Sequence, residues 1–364
     1  MKIGILGGGQ LARMIALAGY PLGLKFIVLD PDANAGAAGL SEHLHGAYDD
    51  PALLAELAEK ADVVTYEFEN VPAHVAEFLT SHTTVYPPAN ALAVAQDRLQ
   101  EKNFFKQLNI GTAPFAAIDS LADLQQAMPS IGYPAILKSR RMGYDGKGQV
   151  VIKAESELAA AWQAMNGAAS IIEGFVPFQR EVSIIAARRP SGEIVFYPLS
   201  ENSHKGGILR VAECKTNDPL QSKAETYVRS LLEALNYVGV IALELFDVNG
   251  ELLANEFAPR VHNSGHWTIE GSETSQFENH LRAILDLPLG STQARGYAAM
   301  VNFIGGLADD QQILALDNAH LHLYDKSPRK GRKVAHATVR ADDANLFKQS
   351  LTTLAALADQ VDDS

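Results

Sequence analysis

Along the first ninety residues, short apolar runs alternate with amphipathic stretches. Residues 2–6, 25–30 and 62–66 are compact runs dominated by large apolar side chains. Such runs predict strands covered on both faces. Apolar spacing between them predicts helices at 10–19 and 51–60. Strand–helix alternation predicts a parallel, helix-covered sheet. The unit ends at the breaker cluster Tyr86-Pro87-Pro88-Ala89-Asn90.

After a predicted helix at 91–108 the rhythm changes. Strands come in groups at 135–138, 149–153, 170–175, 181–188 and 193–199, with helices at 156–165 and 222–236. Runs at 239–247 and 251–257 flank Asn249-Gly250, a hairpin signal. Grouped strands with segregated helices predict an α+β unit. A helix at 275–286 stops at Leu287-Pro288. Beyond about 295, strands at 297–304, 320–324 and 333–340 precede a closing helix at 343–358. The chain thus divides into 1–90, 91–290 with a subdomain at about 112–175, and 291–364.

Composition narrows the class. The 364 residues correspond to two or three domains, and 47% apolar with 20% charged residues is ordinary globular make-up. A net charge of −13 argues against a general nucleic-acid or membrane-surface binder. A few local cations can still serve an anionic small ligand. The single cysteine, Cys214, excludes an internal disulfide and a Cys-rich metal site, and fits a reducing cytoplasm. Gln10 and Arg13 interrupt the first apolar stretch, so it does not read as a signal peptide. No apolar run reaches the roughly 18 residues of a membrane span.

Five constellations carry candidate chemistry. Gly7-Gly8-Gly9-Gln10-Leu11-Ala12 between strand and helix, with Asp30 ending the next strand, matches a dinucleotide fingerprint. The plain alternative is a tight turn only. Lys138 precedes Gly143-Tyr144-Asp145-Gly146-Lys147-Gly148-Gln149, a glycine-rich loop between two strands. It lacks Gly-Lys-Ser/Thr, so it is no Walker A loop, and it reads as a flap over a nucleotide. Glu244 and Glu256 lie on the two arms of the hairpin and suit Mg²⁺. Arg260, His262, Asn263, Ser264 and His266 crowd the loop after Glu256 and read as a substrate grip. Lys326, Arg329, Lys330, Arg332 and Lys333 form either a solvated face or a phosphate site. His320 with His322, and His43 with His45 in a predicted loop, read as structural rather than zinc-binding.

The hairpin also poses a register question. A strict two-residue turn at Asn249-Gly250 pairs Glu244 with Asn255 and sends Glu256 to the opposite face. A shared metal requires one extra residue, as a longer loop or a bulge.

Taken together these motifs resemble the ATP-grasp superfamily. More narrowly, the chain is similar to the 5-(carboxyamino)imidazole ribonucleotide synthase family of purine biosynthesis. The matching stretches are Gly-Gly-Gly-Gln-Leu at 7–11, Tyr-Glu-Phe-Glu-Asn-Val at 66–71 and Asp-Arg-Leu at 97–99. They continue with 143–149, Asn-Glu-Phe-Ala-Pro-Arg-Val-His-Asn-Ser-Gly-His at 255–266, and Tyr-Asp-Lys with Gly-Arg-Lys in 324–333.

The resemblance implies a Rossmann-like N-terminal domain, an ATP-grasp central domain with a flap, and a small β-rich C-terminal domain. It implies that ATP, bicarbonate and 5-aminoimidazole ribonucleotide yield the N-carboxylated nucleotide through carboxyphosphate. By the same resemblance Arg98 and Lys138 contact ATP phosphates under the flap of Gly143, Tyr144, Asp145, Gly146, Lys147, Gly148 and Gln149. Glu173, Gly174, Phe175 and Val176 read adenine through the backbone, Glu181 holds the ribose, His204 lies near the nucleotide, and Asn255 with Glu256 closes the pocket. Glu244 and Glu256 hold Mg²⁺ or Mn²⁺. Gln10, Leu11, Glu67, Lys326 and Arg332 face the ribonucleotide, and Arg260, His262, Asp145, Lys147 and Lys138 act at the reacting groups. A cytoplasmic homodimer is the implied form. From the residues alone, three other readings stay open: another ATP-grasp carboxylate–amine ligase, an NAD-dependent oxidoreductase, and a nucleotide sensor without turnover.

Overall fold

The computed structural model describes residues 1–143 and 148–362. Three sheets organise it. The first comprises β1 (Lys2–Leu6), β2 (Lys25–Asp30), β3 (Glu42–His45) and β4 (Val63–Tyr66), all parallel, in the order β3-β2-β1-β4. Helices α1 (Gln10–Gly19), α2 (Pro51–Lys60) and α3 (Ala73–His82) cover it. Ile3, Ile5, Val28 and Val64 are wholly buried, as a sheet covered on both faces requires. His43 and His45, predicted in a loop, instead sit on the edge strand β3. Their imidazoles bond the Asp30 and Pro31 carbonyls, and only Leu44 of the strand is buried. An edge strand with polar alternate positions lacks the apolar run that marks a central one.

The predicted helix at 91–108 is two helices, α4 (Ala89–Ala95) and α5 (Arg98–Gln107). Asp97 breaks it. Its extended backbone leaves its carboxylate accepting the Leu99 and Gln100 amides, an N-cap that starts a new helix. The second sheet follows, with β5 (Phe115–Ile118), α6 (Leu121–Ile131), β6 (Ala135–Ser139), β7 (Gln149–Ile152), α7 (Leu158–Ala164) and β8 (Ser170–Gly174), in strand order β5-β8-β6-β7. The glycine-rich segment joins β6 to β7.

The third sheet has nine strands: β9 (Arg180–Arg188), β10 (Ile194–Phe196), β11 (Leu199–Lys205), β12 (Ile208–Lys215), β13 (Gly239–Val248), β14 (Glu251–Ala258), β15 (Tyr297–Gly305), β16 (Ala319–Leu323) and β17 (Arg329–Ala341). Helices α8 (Gln221–Ala234), α9 (Thr268–Gly271), α10 (Gln276–Ile284), α11 (Asp310–Leu314) and α12 (Ala344–Asp362) pack around it. The predicted strand at 193–199 is divided between β10 and β11, with Pro198 in the gap. The β11–β12 hairpin turns at Gly206-Gly207, both at positive φ, a two-residue turn signal inside a polar stretch. Strand β12 pairs β15, so the C-terminal strands continue the central sheet. The last predicted strand, 333–340, begins earlier, so Arg329, Lys330 and Arg332 of the cationic run join Lys333 within β17, and Lys326 precedes it.

One apolar core joins the first sheet to the third through Ile15, Phe26, Trp267, Phe277 and Leu281. Gly19 lies in this joint, and a Cβ there would stand 2.3 Å from the Phe26 ring. A buried histidine adds a polar tie. His280 Nδ1 accepts the Val240 amide at 3.1 Å, so its Nε2–H donates to Thr65 Oγ1 at 2.9 Å. Both ring nitrogens serve only the neutral imidazole, and burial pushes its pKa down to about 4.

A histidine depressed in the fold binds its proton only after unfolding, so it contributes stability above about pH 6.5 that is lost as pH falls toward 4. Between pH 7 and pH 5 the wild type should lose about 2 kcal/mol more stability than His280→Leu, by urea denaturation. Parallel pH profiles for the two proteins would contradict this role.

Candidate functional site

The three sheets meet at a cleft of about 700 Å³. Its floor is the β13–β14 hairpin. Val248 pairs Glu251 across a two-residue turn, Leu245 pairs Ala254, and then the register shifts so that Glu244 pairs Glu256. Asn255 is the extra residue. The bulge, rather than a longer loop, places the two glutamates directly opposite. Their strands are apolar, but the carboxylates are only partly buried, at 17% and 39% side-chain exposure, because they open into the cleft. Such a pair fits Mg²⁺, which takes a few carboxylate oxygens and completes its shell with water and phosphate. Among the described residues no group of three or more His, Cys, Asp or Glu could hold a metal, so phosphate and water must supply the rest.

Cations face these carboxylates. Arg98 Nη1 donates to Glu256 Oε2 at 2.8 Å and its Nη2 reaches the Gly143 carbonyl at 3.4 Å. Lys138 Nζ lies 3.2 Å from Glu173 Oε2, and the buried Lys102 Nζ sits at the same distance. Burial alone would raise the Glu173 pKa, but Lys102, Lys138 and Arg98 outweigh it and hold the carboxyl down at about 2. Burial pushes the Lys138 ammonium down, with Glu173 opposing. On the same helix as Arg98, Glu101 is nearly inaccessible, and burial with the Glu256 charge pushes it up to about 8.

The loop after β14 adds a second set. His262 Nδ1 is bonded to Ser264 Oγ at 2.9 Å, which turns Nε2 toward Glu244 Oε1 at 3.2 Å. Arg260 Nε donates to Glu69 Oε2 at 2.5 Å. Burial raises Glu69, but Arg260 overrides it and the carboxyl is held at about 2. Glu69 was not singled out in sequence. Its signal was the alternation Glu67, Glu69 just past β4. Across the cleft, His204 Nδ1 lies 3.2 Å from Glu181 Oε1, and that carboxylate keeps the imidazole pKa raised against burial.

The N-terminal glycine turn is filled from within. Glu67 accepts the amides of Gly9 at 2.7 Å and Ala12 at 3.0 Å, and Asp30 accepts the Gly8 amide at 2.7 Å. A Cβ on Gly9 would stand 2.4 Å from Glu67 Oε1. Three amides of the turn, those of Gly8, Gly9 and Ala12, are committed to carboxylates, and the acidic Glu67 and Asp30 occupy the place a dinucleotide pyrophosphate would take, which weighs against the NAD reading. Gln10 and Leu11 line the cleft beside Glu67.

The other sequence candidates distribute unevenly. Gly143, Gln149 and Asn255 line the cleft. Tyr144, Asp145, Gly146 and Lys147 lie outside the described residues. Phe175 is half exposed and Val176 buried, while the amides of Gly174 and Phe175 already donate to the Pro114 and Pro134 carbonyls. Lys326 Nζ bonds the Gln10 side chain. Arg332 bonds Ser327 through its backbone carbonyl and hydroxyl, whereas its neighbour Lys333 lines the cleft. His322 bonds Glu270 at 3.0 Å and stacks on the buried His336, which fits its structural reading. Phe178 and Phe246, stacked at 4.9 Å, also line the cleft and carried no motif.

Comparison with known proteins accounts for the same layout. Residues 1–96 match the ribonucleotide synthetase preATP-grasp domain, 103–277 the ATP-grasp domain, and 298–350 the phosphoribosylaminoimidazole carboxylase C-terminal domain. N5-carboxyaminoimidazole ribonucleotide synthase of Pseudomonas aeruginosa is 51% identical over 357 residues, covering 98% of this chain and 99% of its own. The crystal structure of N5-carboxyaminoimidazole ribonucleotide synthetase from Thermus thermophilus superposes with a TM-score of 0.94 at 53% identity, covering 98% of each chain. The Aspergillus clavatus synthase in complex with ADP and 5-aminoimidazole ribonucleotide gives 0.91 at 30% identity, covering 99% of this chain and 98% of its own. Among the described residues no helix is long and apolar enough to cross a membrane. With all three parts and nearly the whole length matched, the chain belongs to the N5-carboxyaminoimidazole ribonucleotide synthase family of ATP-grasp enzymes.

Proposed function

We propose that this chain carboxylates 5-aminoimidazole ribonucleotide with bicarbonate at the expense of ATP, giving the N5-carboxylated nucleotide, ADP and phosphate. The observation that carries the reading is the in-register pair Glu244 and Glu256, facing Arg98 and Lys138 across one cleft. Bicarbonate is a weak electrophile. Transfer of the γ-phosphoryl group to its oxygen makes carboxyphosphate. The ribonucleotide amine then attacks the carboxyl carbon, the C–O bond to phosphate breaks, and the amine loses a proton. Phosphoryl transfer needs positioning and positive charge more than covalent help.

Arg98 and Lys138 supply that charge on the nucleotide side. The segment 143–149, Asp145 and Lys147 included, closes over the phosphates and keeps water from the carboxyphosphate. Glu181 takes the ribose, with His204 beside it. The base is read by Glu173 to Val176 through backbone groups other than the Gly174 and Phe175 amides. Glu244 and Glu256 hold Mg²⁺, which when bound neutralises phosphate charge. Arg260 and His262, held by Glu69 and Glu244, face bicarbonate. Gln10, Leu11 and Glu67 face the ribonucleotide, whose 5′-phosphate is met by Lys326 and Lys333 with Arg332 behind them. The walls come from 1–90, 91–290 and 291–364. A cytoplasmic homodimer is the working form, supported by the resemblance.

Phosphate release should require bicarbonate and aminoimidazole ribonucleotide together. Equal release with formate, or with an amino acid replacing the ribonucleotide, would overturn the substrate assignment. Glu256→Gln should cut turnover roughly 10²–10³-fold while the fold survives, the range for removing one group that serves transition-state charge. A charge-assisted contact to phosphate contributes roughly 1.5–3 kcal/mol. Lys333→Met should therefore raise KM for the ribonucleotide about tenfold to a hundredfold, Arg332→Ala less, and neither should change KM for ATP. A change confined to ATP would place the cations with the nucleotide.

A further inference from the structure

The bulge that aligns Glu244 with Glu256 lies on the edge strand of the nine-stranded sheet. The outward N–H and C=O groups of an edge strand have no neighbouring strand to bond. Around Asn255 they are met from outside the sheet. Ala254 N–H donates to the Gly111 carbonyl at 2.7 Å. The Lys102 ammonium donates to the Asn255 carbonyl at 2.7 Å and approaches the Ala254 carbonyl at 3.4 Å. Phe257 N–H donates to Glu101 Oε1 at 2.7 Å. The two α5 side chains therefore grip the backbone on either side of Glu256.

Both are almost inaccessible, Glu101 at 2% and Lys102 at 1% exposure. Burying a carboxylate and an ammonium costs free energy unless they bond fixed partners. Here the partners include main-chain groups of the bulge. A bulge can slide or relax when its unpaired groups are left to water. A slide by one residue would turn Glu256 to the other face. The grip is also anchored at its far end, because Asp97 caps α5 and bonds Arg140 at 2.7 Å and Arg141 at 3.3 Å.

We propose that Lys102 and Glu101 are positioning residues that lock the Asn255 bulge and so present Glu256 to the metal opposite Glu244. This rests on the reading that Glu244 and Glu256 hold the divalent ion. Glu101 lines the cleft and Lys102 also pairs with Glu173 at 3.2 Å, but their hold on Glu256 runs through the backbone of β14.

The test is Mn²⁺ affinity with ADP bound, followed by electron paramagnetic resonance, beside ADP affinity measured in chelator. Lys102→Met should weaken Mn²⁺ about tenfold or more, and Glu101→Met, which leaves the Lys102–Glu173 pair intact, should keep chelated ADP affinity within about threefold. Glu101→Gln should bind Mn²⁺ like wild type, because its amide oxygen still accepts the Phe257 amide. Glu101→Met should lose affinity as Lys102→Met does. Glu256→Gln is the control, and wild-type Mn²⁺ affinity in it would mean that the metal reading itself is wrong. If Glu256→Gln loses the ion while Lys102→Met and Glu101→Met, folded by thermal midpoint, retain it, the lock is refuted. Should Lys102→Met fail to fold, the Glu101→Gln and Glu101→Met pair decides: equal affinity in the two refutes the lock, and loss in Met alone supports it.

Discussion

Side chains alternate across a strand, so a hairpin closed by two residues with an unbroken ladder cannot present Glu244 and Glu256 on one face. The chain keeps the two-residue turn at Asn249-Gly250 and inserts Asn255 instead. The rest of the cleft is arranged around that choice. Glu256 reaches Arg98 at the start of α5, and Glu244 meets His262 from the loop that β14 feeds. A bulge is a local feature of one strand, yet it decides which way the floor of a site built from three sheets faces.

The second organising fact is electrostatic. The chain carries a net −13, yet its cleft gathers Arg98, Lys138, Arg260 and Lys333. The first three sit against carboxylates: Glu256, Glu173 and Glu69. An unpaired buried charge is costly, and paired carboxylates offset it. Glu173 and Glu69 stay ionised far below neutral pH for this reason. On the proposed function, substrate anions enter a site whose cations are already in place, with little reorganisation left for the reaction.

Much of this was legible in the sequence, for identifiable reasons. The parallel sheet was readable because its central strands are unbroken apolar runs. The hairpin was readable from Asn249-Gly250, and the need for one extra residue followed from alternation alone. The edge strand β3 and the polar β11–β12 hairpin, which lack an apolar run, were missed, as were the four-residue β5 and the helices α3 and α6, the last capped by Ser120, which accepts the Asp123 amide. The split at Asp97 was missed because a cap inside a helical pattern reads as one more polar residue. Motif residues of the site were named. Glu69 and Lys102 were not, since Glu69 and Arg260 lie 191 positions apart and Lys102 and Asn255 lie 153 apart. Pairing over such distances leaves no trace in a single sequence.

The glycine turn at 7–12 shows the converse. The pattern was present, but the amides of Gly8, Gly9 and Ala12 are taken by Asp30 and Glu67, so two carboxylates stand where the fingerprint would put a pyrophosphate. What decides the account is therefore the floor of the cleft. Crystals grown with ADP and Mn²⁺, measured at a wavelength where manganese scatters anomalously, locate the ion directly. The account predicts a peak about 2.0–2.3 Å from a carboxylate oxygen of both Glu244 and Glu256, the spacing of small divalent ions to oxygen. A peak bound by only one of them, or lying elsewhere while ADP occupies the cleft, would contradict it.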